Sequence, residues 1–183
     1  MSNQILWYAA RVAAMTAYGA LALSLLSGMA LRSALLAPLA RNRAVLELHR
    51  FLTWIWVPLV GAHVTCLILD SASQVRPLDT VYPFQVSYAR VPIGLGTVGL
   101  LMLAFVAGTG ALRKHMNPRL WRWCHRLSYP MFAVFLVHAQ LAGSDFSRAA
   151  IGISGWATGG ALLALSVPLA LGGRVRRGGE AAD

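Results

Sequence analysis

Four histidines lie inside long apolar stretches of the sequence: His49 and His63 in LHRFLTWIWVPLVGAH, His125 and His138 in CHRLSYPMFAVFLVH. The first pair is fourteen positions apart and the second thirteen. At ~1.5 Å of rise per residue, each pair is separated by roughly 20 Å along its helix. An ionisable side chain inside a membrane span is costly, so four at matching depths call for an explanation. A lone intramembrane histidine reads as a hydrogen-bonded packing residue. Two helices offering imidazoles at the same two levels could instead hold two haems, one near each membrane face, each with two axial nitrogen ligands.

Membrane helices must carry these side chains, and the composition provides them. The chain has 183 residues, 57% hydrophobic and only 12% charged, with a mean hydropathy of +0.60. A soluble domain would carry about a quarter charged residues. The net charge of +10 rests on sixteen basic residues that sit mostly in short loops and the C-terminal tail. That distribution points to topology and anionic lipid headgroups, not to nucleic acid. Cys66 and Cys124 both fall within predicted spans, so no structural disulfide is expected. Residue 121 is Trp, so the C-x-x-C-H needed for covalent haem is missing and any haem is held non-covalently.

About 20 mostly apolar residues make a span, and five stretches qualify. They run from about Leu6 to Leu31, Val45 to Leu69, Val91 to Leu112, Leu120 to Leu141 and Ala149 to Leu171. The expected fold is therefore all-α, a polytopic bundle of five transmembrane spans. Residues 1–173 form one membrane domain and 174–183 a basic, polar cytoplasmic tail. The first span lacks the charged start and small-residue cleavage site of a signal peptide and reads as retained. Arg11, one turn or so inside it, is expected to snorkel to the interface. Gly94, Gly96, Gly99, Gly108 and Gly110 in the third span, with Gly155, Gly159 and Gly160 in the fifth, allow close helix approach.

Basic residues orient the bundle. Arg32, Arg41, Arg43 and Arg50 flank the first loop; Arg113, Lys114, Arg119, Arg122 and Arg126 the third; Arg174, Arg176 and Arg177 lie in the tail. The other side has only Arg11, Arg76, Arg90 and Arg148, together with Asp70, Asp79 and Asp145. The positive-inside rule then puts the N-terminus outside and the C-terminus in the cytoplasm. Spans two and four run in the same direction, so His49 pairs with His125 near the cytoplasmic end and His63 with His138 near the outer end. The 21-residue connection 70–90 lies outside, where Tyr82, Phe84 and Tyr88 either fold over the membrane surface as a cap or simply anchor an interfacial loop.

Helical phase separates the two pairs. At ~100° per residue, His63 returns to within about 40° of the His49 face, whereas His138 lies about 140° from His125 on an ideal helix. Pro130 lies between the latter two, and a distortion near it is predicted to turn both rings towards span two. Pro58 is a candidate for a smaller effect. Trp56 sits midway between His49 and His63, and Phe132 near the middle of the other pair. Both are either part of an electron path between the haems or ordinary core aromatics. Arg50, Arg122 and Arg126 lie next to the inner ligands or one turn away, suited to haem propionates or equally to lipid phosphate. Arg90 and Tyr88 are weaker outer candidates, and His115 reads as a solvated loop residue. No H-E-x-x-H, G-x-S-x-G, P-loop or dinucleotide fingerprint is present, so chemistry with NAD(P)H needs a second polypeptide.

The paired pattern, L-H-R…H at fourteen and W-x-W-C-H-R-L-S-Y-P…H at thirteen, resembles the ferric reductase-like transmembrane domain over about residues 10–170. That family includes the membrane parts of ferric reductases and NADPH oxidases and the haem-bearing membrane partner of periplasmic methionine sulfoxide reductases. The resemblance implies bis-histidine ligation of an inner haem b by His49 and His125 and of an outer one by His63 and His138. It also implies inward-to-outward electron flow. The oxidases have six spans with ligands on the third and fifth; here five carry them on the second and fourth, and the flavin and NADPH domains are missing. The sulfoxide reductase partner is similarly short, but its pattern lacks one of these four histidines.

The expected protein is thus a di-haem membrane subunit of a bacterial inner-membrane redox system. It would sit in lipid and draw electrons from a separate flavoprotein or quinol, using flavin or quinone through that partner. The acceptor would be a periplasmic redox centre, ferric iron or oxygen. Two rivals remain at this stage: a structural haem-binding subunit without turnover, and a transporter or proton channel using the histidines as a relay.

Overall fold

Each long apolar run becomes helix, because in lipid only internal hydrogen bonding satisfies the backbone. The computed structural model describes residues 2–31 and 42–170. Arg32, Arg41, Arg174, Arg176 and Arg177, and the predicted tail 174–183, lie outside the described residues. Six α-helices follow in order: α1 (Asn3–Ala30), α2 (Asn42–Leu69), α3 (Arg90–Ala111), α4 (Pro118–Arg126), α5 (Ser128–Ala142) and α6 (Ala149–Ala170). Short 3₁₀ turns occupy Pro77–Thr80 and Leu112–His115. No strand occurs among the described residues.

Four stretches are long and apolar enough to cross a membrane: Asn3–Ala30, Arg43–Leu69, Arg90–His115 and Ala149–Val167. The fourth expected span is the exception, because it is split into α4 and α5 at Leu127. Pro130 explains the position of the break. It has no N–H to offer the Arg126 carbonyl, and its ring clashes with that same carbonyl. The chain closes α4 with a tight bond from Leu127 N–H to the Cys124 carbonyl at 3.1 Å, then resumes with Met131 N–H on the Leu127 carbonyl at 3.0 Å. By contrast α2 continues as one helix through Pro58.

α1 packs along α2, while α5 packs along α3 and α6. The four histidines lie on α2, α4 and α5, and α2 is not closely packed on either of the other two. Large apolar side chains such as Val12, Phe51, Trp54, Phe105 and Ile153 cover the outside, as lipid contact requires. The core is a cluster that includes Leu21, Leu25, Trp56, Met131 and Phe132.

The start of α1 and two connections gather at one end. Asn3 Nδ2 donates to Ser71 Oγ at 2.8 Å, tying the start of α1 to the α2–α3 connection. Arg11 forms an ion pair with Asp145 in the α5–α6 connection, through Nε at 3.0 Å and also through Nη2. Arg11 thus meets a carboxylate from the far end of the sequence, a partner that its depth alone did not predict, and its guanidinium lies 4.2 Å over the Trp7 ring.

The α2–α3 connection folds inward as a cap. Phe84 adopts φ 64°, a conformation that L-residues rarely take, and its ring lies where a Cβ on Gly94 would be only 2.0 Å away. Only glycine fits there. Thr97 Oγ1 donates to the Asp79 carbonyl at 2.7 Å and Arg90 Nε to the Phe84 carbonyl at 2.6 Å, fastening the cap to α3. Tyr82 stays exposed on the surface.

Candidate functional site

The helix break decides how the second histidine pair faces. His125 lies on α4 and His138 on α5, so they do not share one uninterrupted helical phase. The ring of His125 comes to 6.1 Å from that of His49, centroid to centroid, with the ring planes at 85°. Two imidazole nitrogens each ~2 Å from a shared metal ion would put the ring centroids about 6 Å apart. His63 and His138 instead line one cavity of about 600 Å³, within the ~300–1,000 Å³ usual for small-molecule and cofactor sites. The structure thus brings His49 to His125 and sets His63 and His138 on the wall of one cavity.

Three of the four rings are held at Nδ1 by backbone carbonyls of neighbouring helices. His49 Nδ1 donates to the Ser24 carbonyl at 2.9 Å, His63 Nδ1 to the Ala10 carbonyl at 2.9 Å, and His138 Nδ1 to the Pro92 carbonyl at 2.8 Å. A carbonyl can only accept, so Nδ1 carries the proton and Nε2 of the neutral ring keeps its lone pair. That is the hydrogen-bonding pattern of a metal-bound histidine. The hydroxyls of Ser24 and Ser27 also lie 3.2 and 3.4 Å from His49 Nδ1. Among the described residues no three His, Cys, Asp or Glu side chains converge as a metal-ion site. Each level therefore offers two nitrogens, a set suited to a metal whose other ligands come from a macrocycle.

The inner level is flanked by aromatics and cations. Trp121 stacks on His125 at 5.1 Å and 16°, and Arg113 lies 4.4 Å over the Trp121 ring. Arg126 is half-buried with its guanidinium 4.4 Å over Trp123, and its Nε is buried without a hydrogen-bond partner among the described residues. Arg50 and Arg122 are exposed. The carboxylate of Glu47, on the same stretch, is engaged by Arg43 at 3.0 Å.

The outer level is walled by the cap and by the Arg11–Asp145 pair, both of which line the cavity. Asp70 is buried there and accepts the Ala72 N–H at 3.0 Å. Asp79 accepts the Arg76 N–H at 2.8 Å, with the Arg76 guanidinium 3.4 Å away, and these donors hold its carboxyl below the usual carboxylate range. Tyr88 lines the cavity, whereas Arg90 is committed to the cap backbone. His115 is exposed in its 3₁₀ turn.

Between the levels, Trp56 and Phe132 are 5% and 0% exposed and belong to one buried cluster. Tyr18 of α1 stacks on Phe132 at 5.9 Å. Tyr18, Trp121 and the Ser24/Ser27 pair are site residues that sequence reasoning missed. Trp121 carried a signal, since it lies one helical turn before His125. The others are on α1, which brings no histidine and offered none.

A family model described as "Ferric reductase like transmembrane component" matches residues 13–136. The chain belongs to this family. The ferric reductase-like match includes His49, His63 and His125 and stops two residues before His138; α6 lies beyond it, so it is shorter than the resemblance over residues 10–170. No curated protein and no solved structure matches the chain. Membership makes the protein a membrane redox component, with lipid around its apolar helices.

Proposed function

We propose that this chain is a transmembrane di-haem b-type cytochrome. It would hold an inner haem between His49 and His125 and an outer one between His63 and His138. The observation that carries the reading is the approach of His49 and His125, 6.1 Å apart at a place where α2 and α4 do not pack closely. Haem, when bound by these four histidines, would supply an iron able to accept and give up one electron. The chain's own part is to fix the tautomer and plane of the imidazoles, exclude water and surround both levels with apolar side chains.

The five-span topology is supported by the connectivity. The start of α1, the cap and the α5–α6 connection meet at one end, so α4 and α5 together return the chain across the bundle. With basic residues at the other end, the N-terminus is outside and the C-terminus in the cytoplasm of a bacterial inner membrane. Electrons enter from the cytoplasmic side or the membrane pool, supplied by a separate flavoprotein or by quinol. They leave at the outer face to a periplasmic partner, ferric iron or oxygen. Trp56 and Phe132 lie between the levels and shorten the gap between π systems. Arg126, whose Nε is buried without a hydrogen-bond partner among the described residues, and the exposed Arg50 and Arg122 would supply the cations for the propionates of the inner haem.

The deciding experiment is a pyridine haemochrome assay with a redox titration on the detergent-purified protein. The expected result is two b haems per chain with two resolvable midpoint potentials. A single haem would leave a one-site cytochrome, and none after expression with adequate haem supply would sink the proposal.

A further inference from the structure

We infer that Gly96 and Gly28, on helices that supply no ligand, are positioning residues for His138 and His49. Each lets an imidazole lie against a helix wall with its Nδ1–H on the carbonyl one turn earlier. The inference rests on the reading of these histidines as haem ligands.

The same local geometry recurs at three histidines. His138 donates to the carbonyl of Pro92, four residues before Gly96. His49 donates to that of Ser24, four before Gly28, and His63 to that of Ala10, four before Ala14. A carbonyl within a helix spends one lone pair on the amide four residues on and keeps a second for an outside donor. Helical side chains lean towards the N-terminus, so the residue at i+4 covers the surface over carbonyl i. An imidazole can reach that oxygen only if the covering residue is small. All three are glycine or alanine.

Clearance grades the two glycines. A Cβ at Gly96 would lie 2.7 Å from His138 Cε1 and 2.9 Å from its Nδ1, closer than real contacts allow. A Cβ at Gly28 would lie 3.4 Å from His49 Cε1 and 3.5 Å from Nδ1, an ordinary contact, so alanine fits there as Ala14 does beneath His63, and only a larger side chain would displace the ring. Glycine is a poor helix former, so neither is explained by local stability. The hydrogen bond to Nδ1 raises the basicity of the ligand and fixes its plane, which in turn tunes the metal it holds. Loss of this arrangement must therefore appear at one haem and not at the other.

The test uses the full-length, haem-loaded protein with Gly96→Ala and Gly28→Ala. Gly108→Ala and Gly160→Ala serve as controls, because a Cβ at either meets nothing within 4 Å. Haem per chain, both midpoint potentials and the low-spin EPR signals are read, the signals being assigned with His49→Ala and His63→Ala. Gly96→Ala is expected to shift or empty the outer site alone. Gly28→Ala should keep both haems and both potentials, as Ala14 does beneath His63, and the controls should move neither. Two unaltered sites in Gly96→Ala, or equal shifts at both levels, would overturn the inference while leaving the haem reading intact. If Gly96→Ala does not accumulate as folded protein, Gly28→Val decides: a change at the inner site alone supports the inference, and any other pattern overturns it. A wild-type protein without haem would sink the ligand reading and this inference with it.

Discussion

The inner and outer histidine levels use the same residue type on the same two sides of the bundle, yet they are built differently. At the inner level two imidazoles lie 6.1 Å apart with planes at 85°, and one of them is backed by a Trp121–Arg113 stack. At the outer level the imidazoles line a 600 Å³ cavity roofed by the cap and by the Arg11–Asp145 pair. The inner level is closed by aromatic stacking beside a helix break, the outer by connections between helices. The same pairing of imidazoles thus occurs in two different enclosures, and the enclosure sets the charge around each level.

The largest test of this comparison removes the ligands one level at a time. His49→Ala or His125→Ala should lower haem from about two per chain to about one and spare the outer signal. His63→Ala or His138→Ala should do the reverse. Haemochrome quantification checks both, and equal losses at both levels would break the distinction. The 85° between the inner rings adds a signature, since perpendicular imidazole planes give a highly anisotropic low-spin EPR signal. His125→Ala should abolish that signal.

The helix break is tested by Pro130→Ala. Restoring the missing amide favours an uninterrupted helix by up to about 3 kcal/mol. A continuous α4–α5 would leave His125 and His138 about 140° apart in phase, so one level must lose its second ligand. Haem content should fall, with the inner EPR signal lost if His125 is the ring that turns away. An unchanged spectrum would mean that packing alone holds the break.

A smaller effect is expected at the rim of the outer cavity. Arg11 and Asp145 are partly buried, so breaking the pair should cost between the ~1 kcal/mol of an exposed bridge and the about 3–5 kcal/mol of a buried one. Thermal unfolding of Arg11→Ala, Asp145→Ala and the double variant measures the coupling. The outer potential should move more than the inner.

The smallest effect belongs to Asp79. Its folded-state pKa lies below the ordinary 3.8, so its contribution to the cap is complete above that value and is lost as pH falls through the lower, folded value. Hydrogen exchange over residues 70–90 should therefore quicken under acid conditions. Asp79→Asn should show the faster exchange at neutral pH and little further change on acidification.

The histidine levels and their pairing were legible because depth is a one-dimensional quantity. Hydropathy marks the spans, and the rise per residue converts thirteen or fourteen positions into a distance along the membrane normal. The expected distortion near Pro130 was legible for a similar reason, since a missing amide is a local fact; the structure places the break at Leu127. The cap remained an open alternative, because aromatics in a loop do not say which glycine will receive them. The partner of Arg11 was not legible, because Asp145 lies 134 residues away in sequence.

What the sequence by itself determined is an all-helical membrane chain with two tiers of imidazole. Those features follow from residue type and spacing along one helix at a time. Tertiary structure alone decided which carbonyl holds each Nδ1, that Trp121 and Arg113 stack behind His125, and that Gly96 lies under His138. Each of these depends on how neighbouring helices are rotated and how closely they approach, quantities set by packing among many residues at once.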